Sequence, residues 1–167
     1  MSHAGVGKEM KIRDASPGMA VSLSNLAIRA KASWGYESSL LNLWKEDLEI
    51  EPDYIERNVV KVAEEDGDLI GVAALNLQDK EIDHFWVEPG CMARGVGKAL
   101  FEAIKVAMKE NGISRIQIVS DPHAESFYLH MGAKRMGEVE SVPPGRRLPK
   151  LSFEFTQRAE QSSGGNH

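Results

Sequence analysis

Residues 85–100 read Phe85-Trp86-Val87-Glu88-Pro89-Gly90-Cys91-Met92-Ala93-Arg94-Gly95-Val96-Gly97-Lys98-Ala99-Leu100, and the period of the pattern changes inside them. From about Lys80 to Val87 side chains alternate as in a strand, with Glu81, Asp83, Phe85 and Val87 expected on one face and Ile82, His84 and Trp86 on the other. Pro89-Gly90 stops that strand. Val96, Leu100, Ala103, Ile104 and Ala107 then recur at helical spacing, with Lys98, Glu102, Lys105 and Lys109 outside and Asn111-Gly112 as the stop. Gly95 and Gly97 lie where strand passes into helix. A glycine turn there lets the backbone approach an anion without a Cβ in the way, and the free N–H groups of the helix start point at it. Phosphate is the natural guest, although an isolated glycine pair also serves a tight turn. A dinucleotide fingerprint needs a third glycine where Leu100 stands, and a P-loop needs Ser or Thr where Ala99 stands, so neither fits.

Working outward, Val59–Glu64, the turn Asp66-Gly67 and Leu69–Leu77 read as a β-hairpin that the Lys80 strand extends. Upstream, Met10–Arg13 alternates like a short strand. Ser16-Pro17 then opens a helix bearing Met19, Leu23, Leu26, Ala27, Ala30 and Trp34, which stops near Gly35. A second helix carries Leu40, Leu41, Trp44 and Leu48, and after Glu51-Pro52 comes a short turn with Tyr54 and Ile55. Downstream, Ile116–Val119 is a strand, Pro122–Met131 a helix ended by Gly132, and Lys134–Val139 and Leu151–Phe155 are closing strands. Residues 10–157 are expected to form one domain, with residues 1–9 disordered and 158–167 a flexible tail.

With 167 residues, one core is sufficient. The 25 acidic against 20 basic residues give a net charge of −5, with no basic run beyond Arg146-Arg147, so a nucleic-acid partner is not expected. No apolar stretch approaches a membrane span, and a lone cysteine, Cys91, excludes an internal disulfide, so no membrane partner is expected and the cytoplasm is the simplest location. His84, His123 and His130 lack metal-ligand spacing, so no metal is expected.

The stretch Phe85–Pro89 followed by Arg94-Gly95-Val96-Gly97-Lys98-Ala99-Leu100 resembles the coenzyme A signature of the GNAT N-acetyltransferase superfamily, Arg/Gln-x-x-Gly-x-Gly/Ala. Gly95 and Gly97 take its glycine positions, while Met92 stands where Arg or Gln is usual. Asp121-Pro122-His123-Ala124-Glu125-Ser126-Phe127-Tyr128 through Gly132-Ala133 resembles the second signature, with His123 replacing a frequent Asn. The resemblance implies an α/β (α+β) fold, a mixed, mostly antiparallel sheet of six to seven strands flanked by helices. It also implies acetyl-CoA as co-substrate and transfer of the acetyl group to a primary amine in a ternary complex. The alternative is a catalytically weak acyl-CoA-binding or regulatory module, to which the departures at Met92 and His123 point.

By the same resemblance, the cofactor-binding set is Phe85, Trp86, Val87, Met92, Arg94, Gly95, Val96, Gly97, Lys98, His123, Ser126, Phe127 and Tyr128. Arg94 either supplies a charge near the phosphates or is a solvated loop arginine. Tyr128 matches the tyrosine that protonates the departing thiolate. Glu81 and Asp83 fall at strand positions that carry the base, and both carboxylates are also suited to binding an ammonium. Lys31, Trp34 and Tyr36 after the first helix and Arg146 in the last loop stand where family members build acceptor walls, and an arginine there suits a carboxylate or phosphate. The acceptor class is a small amine or amino-acid-like molecule, with a peptide or protein also open, and a homodimer is a common assembly in the family.

Overall fold

The computed structural model describes residues 9–92, 94–141 and 144–155, so the expectations for residues 1–8 and 158–167 lie outside the described residues. The elements run β1 (Met10–Asp14), α1 (Ala20–Ala32), α2 (Ser38–Leu43), α3 (Lys45–Leu48), α4 (Pro52–Arg57), β2 (Val59–Glu65), β3 (Asp68–Asn76), β4 (Glu81–Val87), α5 (Val96–Glu110), β5 (Arg115–Val119), α6 (Glu125–His130), β6 (Lys134–Glu140) and β7 (Arg147–Glu154). One seven-stranded sheet has the order β1-β2-β3-β4-β5-β7-β6. Every neighbouring pair is antiparallel except β4–β5.

Two of the helical expectations and one strand boundary depart from the pattern in the sequence, the boundary being the start of β7 at Arg147 where Leu151 was expected. The expected second helix is two short ones, because Trp44 leaves helical geometry between α2 and α3 and packs its ring into a cluster with Ala27 and Leu48. The expected turn around Tyr54 is the helix α4, with Pro52 at its start, where a missing N–H removes no helical bond.

Helices cover both faces of the sheet. On one, α5 buries Val96, Leu100, Phe101, Ile104, Ala107 and Met108, and each large apolar side chain contributes about 1.5–3 kcal/mol by leaving water. Gly71 in β3 allows this approach, since a Cβ there would lie 2.9 Å from both Leu100 Cδ1 and Val96 Cγ1. On the other face, Leu23 and Leu26 of α1 and Ile55 of α4 pack on Val60, Val62, Val72 and Ala74.

The strand β4 breaks strict alternation. Its register against β3 shifts between Ala74 and Leu75, so that Ala74 faces His84 and Leu75 faces Ile82, leaving Asp83 as the extra residue of a bulge. Ile82, Phe85 and Val87 therefore pack together on the α5 side. His84 meets Tyr54 and Trp86 on the other side, and Asp83 bonds to Tyr54 there as well. The expectation that Phe85 and Val87 share a face with Asp83 is corrected by this one-residue insertion.

Candidate active site

β4 and β5 are paired only at Glu81–Gln117 and Ile82–Ile118. Past those residues no ladder joins them, and a cleft of about 430 Å³ opens between β4, the start of α5 and α6. It is lined by Ala30, Trp34, Phe85, Trp86, Val87, Met92, Gly95, Gly97, Lys98, His123, Ala124, Phe127, Tyr128, His130 and Met131. A smaller extension between the parted strands is bordered by Asp83, His84, Ser120, Asp121 and again by Tyr128. A larger groove of about 620 Å³ lies at the other end of β5, among Lys80, Arg115 and Lys150, and contains none of the residues singled out for chemistry.

The turn into α5 is built for an anion. Gly95 adopts φ 80°, a left-handed conformation open to glycine, and no side chain caps the helix. The helical ladder begins with Ala99 N–H to Gly95 O, so by helix geometry the amides of Val96, Gly97 and Lys98 lack intrahelical acceptors. The positive end of the helix dipole adds to them. No carboxylate lines this part of the cleft, whereas Lys98 does. A phosphate-bearing group with an apolar arm fits these residues. Gly97 also lets the ring of Phe127 close on the turn, since a Cβ would meet it at 3.1 Å.

Three of the expected cofactor residues take other places. The Arg94 guanidinium pairs with the buried Glu65 at the end of β2 and approaches Cys91 Sγ at 3.7 Å, so its charge is spent away from the turn. The Val96 side chain is in the core, which leaves only its amide for a ligand. Ser126 is exposed and does not line this cleft or its extension.

Tyr128 is held by rings of Phe85, Phe101 and Phe127, with centroids 5.3–6.3 Å away. Burial pushes its pKa up, so the phenol stays protonated. Its hydroxyl finds no hydrogen-bond partner among the described residues while the residue borders both parts of the cleft. Asp83 accepts from Tyr54 Oη at 2.9 Å and Asn76 Nδ2 at 3.0 Å, both on Oδ2. Glu81 lies beside Gln117 Nε2 at 3.4 Å, and burial followed by the charges of Asp83 and Asp79 raises its pKa.

The profile of the acetyltransferase (GNAT) domain family matches residues 36–143. The chain belongs to this family. Among solved structures, this GNAT chain is similar to the PaiA N-acetyltransferase of Thermoplasma acidophilum, at 19% identity and a TM-score of 0.73 over 88% of this chain and 99% of that one. It is also similar to the IAA acetyltransferase of Bacillus cereus, at 18% identity and a TM-score of 0.62 over 88% and 100%. The N-acetylglutamate synthase of Neisseria gonorrhoeae follows at 20% and 0.64, over 89% of this chain and 35% of that chain. No curated protein sequence matches it. The seven-stranded sheet with flanking helices is the fold of these GNAT neighbours.

Lys31, Trp34 and Arg146 lie outside the matched span of the GNAT profile and Tyr36 is its first residue, yet the fold brings all four to Asp121, where β5 ends. Lys31 Nζ donates to Asp121 at 2.7 Å inside a cage of Trp34, Tyr36, Trp44 and Trp86, 4.7–5.9 Å from the ring centroids. Trp34 stacks on His123 at 5.3 Å. Burial pushes the Asp121 pKa up, but hydrogen bonds from Lys31 and His123 and the Lys31 charge outweigh it and hold it at about 2. Burial lowers the Lys31 pKa more than Asp121 raises it.

Asp121 and His84 are site residues that the sequence reading did not single out for a role. Asp121 was legible as a strand-ending residue before Pro122, but its partners Tyr36 and Lys31 are 85 and 90 residues away in sequence. His84 was expected on the other face as a packed or surface residue. It is buried, it accepts from Trp86 Nε1 at 3.2 Å on Nδ1, and burial lowers its pKa to about 4. Among the described residues no group of His, Cys, Asp and Glu is arranged to hold a metal, and no helix is long and apolar enough to cross a membrane.

Proposed function

We propose that the chain transfers an acetyl group from acetyl-CoA to a primary amine directly, with both bound at once. The observation that carries this reading is the parting of β4 from β5 after two paired residues, which opens a cleft between the uncapped start of α5 and the unpartnered Tyr128 hydroxyl. The Thermoplasma relative is in complex with coenzyme A, and the Neisseria relative with coenzyme A and N-acetyl-glutamate, which supports the same donor here.

In this reading the amides of Val96, Gly97 and Lys98, with the Lys98 side chain, hold the pyrophosphate. Phe85, Trp86, Val87 and Phe127 border the pantetheine arm. Acetyl-CoA supplies the thioester carbonyl. The carboxylates of Asp83 and Glu81 attract the ammonium form of the acceptor and take its proton, directly or through water. As the N–C bond forms and the C–S bond breaks, Tyr128 donates its proton to the departing sulfur, and the second proton shed by the acylated nitrogen restores the phenol.

The test is thiol release from acetyl-CoA across a panel of primary amines and amino acids, with melting temperature measured alongside. Amine-dependent thiol release and a rise in melting temperature with acetyl-CoA are expected. No release across the panel, with no thermal shift at millimolar acetyl-CoA, contradicts the reading.

A further inference from the structure

Asp121 has its acceptor capacity filled. Its two oxygens take Lys31 Nζ at 2.7 Å, Tyr36 Oη at 2.8 Å, the backbone N–H of His123 at 2.9 Å and His123 Nδ1 at 2.7 Å. A carboxylate offers about four lone-pair sites. Arg146 is left over: its Nη1 lies 3.7 Å from Asp121 Oδ2, beyond hydrogen-bond reach, and donates instead to Tyr36 Oη at 2.9 Å.

The guanidinium is nonetheless held in place. It lies 5.2 Å from the ring centroid of Tyr36 and 4.8 Å from that of Trp44, and its backbone N–H donates to Ser141 Oγ at 3.1 Å. Its Nε and Nη2 have no partner among the described residues, and the side chain keeps 30% exposure. Two cations, Lys31 and Arg146, therefore face one anion, and the surplus positive charge is on a fork ready for a bidentate contact.

The position of that fork gives it a use. Asp121 and Trp34 border the same extension of the cleft as Asp83 and Tyr128. The extension thus offers the Asp83 carboxylate at its border, and behind Asp121 on the same border stands Arg146, which shares that one carboxylate with Lys31. We infer that the acceptor is a zwitterion whose ammonium lies toward Asp83 and whose carboxylate is gripped by Arg146. This rests on the acetyl-transfer reading above. A single surplus charge matches a carboxylate, whereas a phosphomonoester carries nearly two negative charges at neutral pH.

The experiment compares amino acids with their own amides and decarboxylated amines, with phosphoethanolamine as the phosphate probe. Thiol release gives kcat/KM, and the melting temperature of the coenzyme A-bound protein reports binding without turnover. Acids are expected to exceed their amides on the order of 10- to 100-fold, because an amide offers the partly exposed fork one neutral acceptor in place of two charged oxygens. Only acids should raise the melting temperature further. R146Q should abolish the acid-to-amide ratio, and R146K should lose most of it, since an ammonium lacks the fork. The thermal shift with coenzyme A alone reports that each variant is folded. Acids that react or bind no better than amides, a preference for phosphoethanolamine, or a ratio unmoved in R146Q each overturn the inference. If amines react without that preference, this inference fails alone; if nothing reacts and coenzyme A gives no shift, the acetyl-transfer reading fails with it.

Discussion

Tyr54 donates its hydroxyl hydrogen to Asp83 Oδ2 at 2.9 Å, the oxygen that Asn76 Nδ2 also reaches at 3.0 Å, and Oδ1 is left without a partner among the described residues. Two neutral donors thus fix the carboxylate and leave one oxygen for a proton or an ammonium. Asp83→Asn keeps the size of the side chain and removes the charge. It should lower kcat/KM for the amine on the order of 100-fold while acetyl-CoA affinity holds. A loss of acetyl-CoA affinity with unchanged turnover at saturation would assign Asp83 to scaffolding instead.

Tyr128→Phe removes a hydroxyl that bonds to no described residue and keeps the ring among Phe85, Phe101 and Phe127. The melting temperature should move little, because no protein hydrogen bond is lost. Turnover should fall about 10- to 100-fold with acetyl-CoA affinity nearly unchanged. Equal losses in kcat and in acetyl-CoA binding would indicate packing alone.

Gly71 sets how closely α5 lies on the sheet, with two side-chain carbons 2.9 Å from where a Cβ would stand. Gly71→Ala should cost about 1–3 kcal/mol by overpacking. The shift should carry Val96, and with it the α5 start, so acetyl-CoA affinity falls as well. Chemical denaturation with and without acetyl-CoA measures both, and an unchanged midpoint contradicts the packing account.

Acid should destabilise the protein over two successive pH windows. The unfolded imidazole of His84 takes its proton near 6.5, but burial delays this to about 4 in the folded chain. Between those values the unfolded state binds more protons, so stability falls as pH falls, by roughly 3 kcal/mol at the acid end. Asp121, held at about 2 against an ordinary 3.8, extends the loss below that window. His84→Gln should therefore show a smaller drop in melting temperature between neutrality and pH about 4. Equal drops in the two proteins would contradict the buried, neutral histidine.

The elements that position the site were legible where one short-range rule governs them. The α5 stripe, the Asp66-Gly67 hairpin and the glycine turn each follow from local period or backbone freedom, and six of the seven strands stand within a residue of where the sequence pattern put them, while β7 begins at Arg147, four residues before the expected Leu151, and takes in residues expected in the loop. The face assignments in β4 were not legible, because a bulge at Asp83 is set by pairing with β3 and no residue type announces it. Arg94 was legible as a charge beside the turn but not as the partner of Glu65, a residue whose burial depends on the folded sheet. Lys31, Trp34, Tyr36 and Arg146 were singled out in the sequence for the acceptor side on the family resemblance alone. That they converge on Asp121 depends on contacts between α1, the end of β5 and the last loop, which no spacing encodes.

Product stoichiometry tests the central claim most directly. With acetyl-CoA and an amine that supports thiol release, mass spectrometry should find one N-acetylated amine for each coenzyme A released, with no acetylated protein accumulating during turnover. Thiol released without acetylated amine, or an acetyl group retained on the protein before the amine is added, would contradict direct transfer in the cleft between β4 and β5.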